Sequence, residues 1–151
     1  MKKAMIVHMV VLGLVLTAAY AFAGNFNHSN VGAGGYDVVA YHTEGAAKRG
    51  TGWHLASHEG TTYLFSSKKN RKAFVENPDR YLPEYGGYCA YGLAVGKKFY
   101  ADPTVWKIVD GRLFLNLDTK IQNKFEKDLS GNIEKADANW PKLINENPAG
   151  L

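Results

Sequence analysis

A single cysteine, Cys89, stands among 151 residues. That scarcity excludes an internal disulfide framework and any CxxC zinc or redox pair. Charge of one sign is also in short supply. The 18 Lys+Arg against 14 Asp+Glu leave +4, part of it contributed by Lys2 and Lys3, so charge gives no argument for a nucleic-acid partner. The chain has no GxGxxG or Walker loop, no GxSxG elbow and no HExxH, which removes the commonest dinucleotide, phosphate, acyl-transfer and zinc-protease readings. No internal repeat at solenoid periods and no heptad array is visible. What is present is 46% hydrophobic residues with 3 Trp, 9 Tyr and 7 Phe, enough to bury the core of one domain.

The one long apolar run is at the start. Met1-Lys2-Lys3 is followed by an apolar stretch from Ala4 to Ala23 that closes with Ala21-Phe22-Ala23, the pattern of a secretory signal peptide with an A-x-A cleavage site. Retention as a membrane anchor is the rival reading, because twenty such residues can just span a bilayer. Cleavage after Ala23 is the preferred expectation. It makes the protein exported, periplasmic or secreted, and limits membrane contact to the leader. Residues 24–35, rich in Asn, Gly and Ser, read as a flexible lead-in, 36–145 as a single domain and 146–151 as a tail.

Within the domain, Val38 to Tyr41 read as a short extended segment and Gly45 to Gly52 as a polar loop. Trp53 to Ser57 and Thr61 to Ser66 are strand candidates joined at His58-Glu59-Gly60, a hairpin by length and by its glycine. Ser67 is placed to cap a helix through Val75 that Asn77-Pro78 stops. Tyr81, Leu82 and Tyr85 are expected to fold back on that helix. A second hairpin joins Val105–Val109 to Leu113–Leu117 through Asp110-Gly111-Arg112. Ile121, Phe125 and Leu129 recur every four residues, a helical stripe expected to end at Gly131. Ile133, Ala136 and Trp140 continue it in a second helix that Pro141 should interrupt. Hairpins mixed with helices give an α+β fold class.

Cys89 is the first chemical candidate, because a thiolate is both a nucleophile and a soft metal ligand. It lies in Gly86-Gly87-Tyr88-Cys89-Ala90-Tyr91-Gly92, a turn whose glycines let backbone pass close to something. Imidazole plus thiolate suffices for copper or zinc, and the imidazoles beyond the expected leader are His28, His42, His54 and His58. A cysteine-hydrolase drawing with His42 and Asp37 or Asp102 is possible on residue types, but no spacing supports it. Glu44, Glu59, Glu76 and Glu84 sit at turns or helix ends and form no glycosidase pair. Tyr85, Tyr88, Tyr91, Phe99, Tyr100 and Trp106 are dense enough to line a pocket, with Tyr88, Tyr91 and Trp106 the candidate ligand-binding side chains. Lys68-Lys69-Asn70-Arg71-Lys72, the one basic run, reads as a solvated helix face in preference to an anion or membrane-surface patch.

Phe65-Ser66-Ser67-Lys68-Lys69-Asn70-Arg71-Lys72-Ala73-Phe74, followed by Pro78 and Tyr81, resembles the core of the YHS domain. With Gly35-Tyr36-Asp37-Val38-Val39-Ala40-Tyr41 before it and Gly86 to Tyr91 and Asp102-Pro103-Thr104-Val105-Trp106 after it, the chain looks like the exported subgroup of that family from about Gly35 to Pro141. The resemblance implies a small metal-associated domain, in which two helix-start cysteines are ligands. Here Ser66 and Asn70 occupy those positions, so that ligand set does not carry over. Some members of the exported subgroup are described as selenoproteins, which would imply redox or soft-metal chemistry if the selenocysteine falls at position 89. Three readings follow. The leading one is a binding protein for a soft or borderline metal, copper favoured and zinc possible, using Cys89 with His42, His54 and His58. The second is a single-cysteine thiol redox protein. The third is a structural or partner-binding module with Cys89 buried.

Overall fold

A computed structural model of the protein describes residues 30–148. The expected leader, most of the lead-in with His28, and the last residues of the tail lie outside them. The fold is α+β, with two separate two-stranded antiparallel sheets and five α-helices among the described residues. No helix among the described residues is long and apolar enough to cross a membrane.

The chain begins with a 3-10 turn at Gly32–Gly35 and helix α1, Val38–Glu44. The extended segment expected at Val38–Tyr41 is therefore a helix. β-branched Val38 and Val39 favour strand locally, but the Asp37 carboxylate accepts hydrogen bonds from the Val39 and Ala40 amides and so caps the first turn. Strands β1, Thr51–His58, and β2, Thr61–Phe65, pair across the two-residue Glu59-Gly60 turn. Both turn residues have positive φ, 46° and 76°, as a type I′ hairpin turn requires. Helix α2, Lys68–Glu76, is capped as expected by Ser67, whose Oγ accepts from the Asn70 amide at 3.1 Å.

After a 3-10 turn at Pro78–Arg80, another at Glu84–Gly87 leads into the short helix α3, Ala90–Ala94, where a simple turn was expected. Strands β3, Asp102–Val109, and β4, Arg112–Asn116, form the second hairpin. Helix α4, Thr119–Lys127, starts under an Asp118 cap, and α5 runs over Leu129–Leu143. The helix break expected at Gly131 lies at Asp128 instead. That carboxylate caps α5 by accepting from the Gly131 amide, and a Cβ on Gly131 would lie 2.4 Å from it, so the glycine admits the cap rather than ending a helix. Nor does Pro141 interrupt α5. It falls in the last turn, where few backbone bonds remain to lose, while Trp140 and Leu143 pack on the core and Asn139 Nδ2 donates to the Leu93 carbonyl at 2.9 Å.

The backbone is duplicated, although no solenoid-period repeat is legible. Each half runs through a 3-10 turn, short helix, eight-residue strand, five-residue strand and nine-residue helix. Ala33-Gly34-Gly35 has φ of 49°, 58° and 81°, and Tyr85-Gly86-Gly87 has 55°, 63° and 82°. The Asp110-Gly111 turn, at 51° and 79°, matches Glu59-Gly60. Both hairpins carry an irregularity in the same place, between Thr51 and Leu55 and between Asp102 and Trp106. Isolated bridges repeat too: Val31–Thr62 with Pro83–Leu113, and Tyr36–Arg49 with Tyr88–Tyr100.

Each half has its own apolar centre. Val38, Val39, Phe65, Phe74 and Tyr81 build the first; Tyr85, Leu93, Phe114, Phe125 and Ala136 build the second. Tyr85 thus leaves the α2 side on which it was expected, whereas Tyr81 and Leu82 pack there. Tyr41, Leu113 and Leu115 join the halves, and the Tyr41 hydroxyl donates to the Pro103 carbonyl at 2.7 Å.

Candidate functional site

Asp37 and Cys89 occupy equivalent places in the two halves, each the residue before a short helix. Asp37 is fully buried. Besides the two α1 amides, its carboxylate accepts from the Ser66 amide at 2.8 Å, the Ser66 hydroxyl at 2.6 Å and Asn70 Nδ2 at 2.8 Å. A buried charge persists only when its lone pairs are met this fully. Asn70 Nδ2 also donates to Glu44 Oε1 at 3.0 Å. At the two positions where the resembled pattern has cysteines, this chain therefore carries side chains that are committed to a carboxylate.

Cys89 is 1% exposed. Its Sγ accepts from the Gly92 amide at 3.4 Å and faces Asn116 Oδ1 at 3.6 Å, to which the thiol donates. The same Asn116 oxygen accepts from the Tyr91 amide at 3.0 Å. Behind it, Asn116 Nδ2 donates to Gln122 Oε1, Gln122 Nε2 donates to Glu126 Oε1, and Lys107 reaches that carboxylate at 3.0 Å. Burial pushes the thiol pKa above its ordinary value; amides at Gly92, Leu117 and Tyr91 pull the other way, and Asp118 adds to the rise. The close approach that the glycines permit is also visible: a Cβ on Gly92 would lie 3.0 Å from both the Lys97 carbonyl and the Phe99 ring. What passes close is the protein's own backbone and core.

The three histidines do not converge on that thiol. His42, at the end of α1, stacks edge-on against Tyr81 at 5.5 Å. Its Nε2 is buried without a hydrogen-bond partner among the described residues, and burial, then the Arg80 charge, lowers its pKa. His54 lies on the irregular part of β1 and is half-buried. His58, at the end of β1, packs against Phe74 and faces Asp79 at 3.6 Å. Among the described residues no group of three His, Cys, Asp or Glu side chains could hold a metal ion. With the thiol capping α3 and Ser66 and Asn70 bound to Asp37, the donors present do not fit a soft-metal centre. The hydrolase drawing fails on geometry as well: Asp37 is saturated by α1 and α2, and Asp102 binds Thr104 in its own strand.

A groove of about 650 Å³ lies at the seam of the two halves. The first half supplies residues 30–34, His58, Glu59 and Tyr63; the second supplies Tyr88, Tyr100, Trp140 and Ile144. Tyr88 stands 5.6 Å from Tyr100 and 6.3 Å from Trp140, centroid to centroid. Lys98 secures this wall. Its ammonium lies 4.5 Å above the Tyr88 ring and donates to the Ile144 and Glu146 carbonyls at 2.8 and 2.9 Å. Of the expected ligand-binding aromatics, Tyr88 lines the groove with Tyr100, while Tyr91 packs beside the second core and Trp106 meets Tyr41 edge-on at 5.2 Å. Sequence reasoning missed Tyr63 and Trp140. The only signal that could have led to the seam is the recurrence of Gly-Gly-Tyr at 34–36 and 86–88.

No family model, curated protein or solved structure matches the chain.

Proposed function

We propose that the protein is a small binding module whose ligand site is the groove at the seam of its duplicated fold, with Cys89 a structural thiol. The observation that carries this reading is the groove of about 650 Å³ in which Tyr63, Tyr88, Tyr100 and Trp140 stand among glycines and polar residues such as His58, Glu59 and Thr61, a concave surface that offers ring faces beside hydrogen-bonding groups. Such a surface suits a small ligand with a flat face, which can lie against tyrosine and tryptophan rings, and a polar edge that meets the hydrogen-bonding groups. An enzymatic reading finds less support, because the groove brings no nucleophile and base within hydrogen-bond reach of one another.

The dye 8-anilinonaphthalene-1-sulfonate, flat and apolar with one charge, is a suitable first probe. Titration should saturate at one site per chain, and Tyr100→Ala should weaken it several-fold with little change in melting temperature, since that ring is 72% exposed. Equal affinity in wild type and Tyr100→Ala would overturn the assignment. The metal reading rests on the family resemblance and makes the opposite demand: stoichiometric copper or zinc in the purified protein, lost in Cys89→Ser.

A further inference from the structure

We propose that the end of the β1–α2 unit carrying Trp53 and the first turns of α2 is a docking surface for an anionic lipid bilayer. Trp53 is 91% exposed and Leu55, two residues on along the same strand, 45%. Trp53 sits where β1 breaks register with β2, between the pairs Thr51–Phe65 and Leu55–Leu64, so it has no partner residue on β2, and Leu55 is where the pairing resumes. Gly52 precedes Trp53 directly, and a Cβ there would meet nothing within 4 Å. The duplication supplies an internal control. At the equivalent place in β3 the residue is Thr104, exposed and hydrogen-bonded to Asp102 at 2.7 Å. The backbone therefore does not require tryptophan there, and an almost wholly exposed indole has no packing role to explain it.

The charge beside it identifies the partner. Helix α2 runs along β1 in the same direction: Arg71 Nε donates to the Leu55 carbonyl at 2.7 Å, and Phe74 packs on His58. Its first turn is thus level with Trp53. Lys68, Lys69, Arg71 and Lys72 are all exposed. The acidic groups close by are few: Glu76 pairs with Lys72 at 3.8 Å, and Glu44 is engaged by Lys48 and Asn70. An exposed indole and clustered cations at the same end of the β1–α2 unit match the interfacial zone of an anionic membrane, where indole settles at the headgroups and each cation gains from the surface potential.

The test uses the full chain with Trp106→Phe and Trp140→Phe, so that Trp53 is the sole emitter and binding through any other segment goes unseen. Its emission is expected to shift to the blue with vesicles of phosphatidylcholine containing one part in three phosphatidylglycerol. No shift is expected with phosphatidylcholine alone, and high salt should reverse the first. In flotation assays against the same vesicles, the triple variant Lys68→Gln, Arg71→Gln, Lys72→Gln should partition about 100-fold more weakly, at about fivefold per charge. Trp53→Ala should lose roughly tenfold. Thermal melts of each variant exclude misfolding as the cause. Unchanged Trp53 emission with both vesicles, equal shifts with both, or a shift produced as well by soluble polyglutamate would each overturn the proposal, the last by pointing to an acidic protein.

Discussion

Removing the Asp37 carboxylate is the most severe single change the structure identifies outside the apolar core. Asp37→Ala leaves five donors without their acceptor: the Val39, Ala40 and Ser66 amides, the Ser66 hydroxyl and one Asn70 amide proton. Loss of a helix cap alone costs about 1 kcal/mol, and breaking a buried, fully bonded charge network costs about 3–5 kcal/mol. Because the five bonds share one acceptor, their energies do not add, and about 4 kcal/mol is the expected total. Against about 5–15 kcal/mol for a typical domain, the variant keeps its fold with a much reduced margin. Its melting temperature should fall by roughly 15 °C. Asp37→Asn retains one oxygen and should lose about half as much. The assay is urea unfolding followed by circular dichroism, in which the midpoint falls while the slope is unchanged. A loss below about 1 kcal/mol in Asp37→Ala would refute the claim that this carboxylate ties α1 to the start of α2.

Other expectations concern the second half and the seam. Cys89→Ser should be tolerated, because a hydroxyl can cap α3 as the thiol does, whereas Cys89→Ala should cost about 1–2 kcal/mol in urea unfolding; equal losses would show that the cap contributes nothing. Tyr41→Phe should cost about 1–2 kcal/mol by leaving the Pro103 carbonyl unpaired, and an unchanged urea midpoint would remove that bond as a link between the halves. The lowered His42 pKa has a definite sign: the unfolded chain takes up the proton first as pH falls below about 6.5, so stability contributed above that value is lost on acidification. His42→Leu should flatten this part of the stability profile between pH 7.5 and 5; an identical profile in wild type and variant would count against the burial of Nε2.

Both hairpins were legible in the sequence because Glu59-Gly60 and Asp110-Gly111 are strong turn signals between apolar stretches, and Ser67 was legible as a cap because its role is local. Helix α1 was not, since the Val38-Val39-Ala40-Tyr41 run prefers strand and its cap draws on Ser66 and Asn70, far away in the chain. The duplication was hidden because few side chains coincide between the halves beyond Gly-Gly-Tyr, the turn glycines and the pair Phe74 and Phe125. What repeats is backbone conformation, which many sequences satisfy. Cys89 was legible as unusual but not as buried. Glycines on either side are equally compatible with an exposed turn and with tight packing, and only the approach of Phe99 and Asn116 distinguishes the two. The groove needs both halves in place, so no single stretch of sequence could announce it.

On the proposed reading Cys89 is a buried thiol that caps α3 and stays protonated, neither metal ligand nor redox nucleophile, and its reactivity is the sharpest check. Alkylation of the native protein by iodoacetamide at pH 7.5, compared with the same protein in 6 M guanidinium, reads access and protonation together. Expected is a native rate slower by about 100-fold or more, with one thiol per chain reacting after denaturation, and with no copper or zinc released as it does. A native thiol that reacts as fast as the denatured one, or one protected only until a chelator strips bound metal, would contradict it.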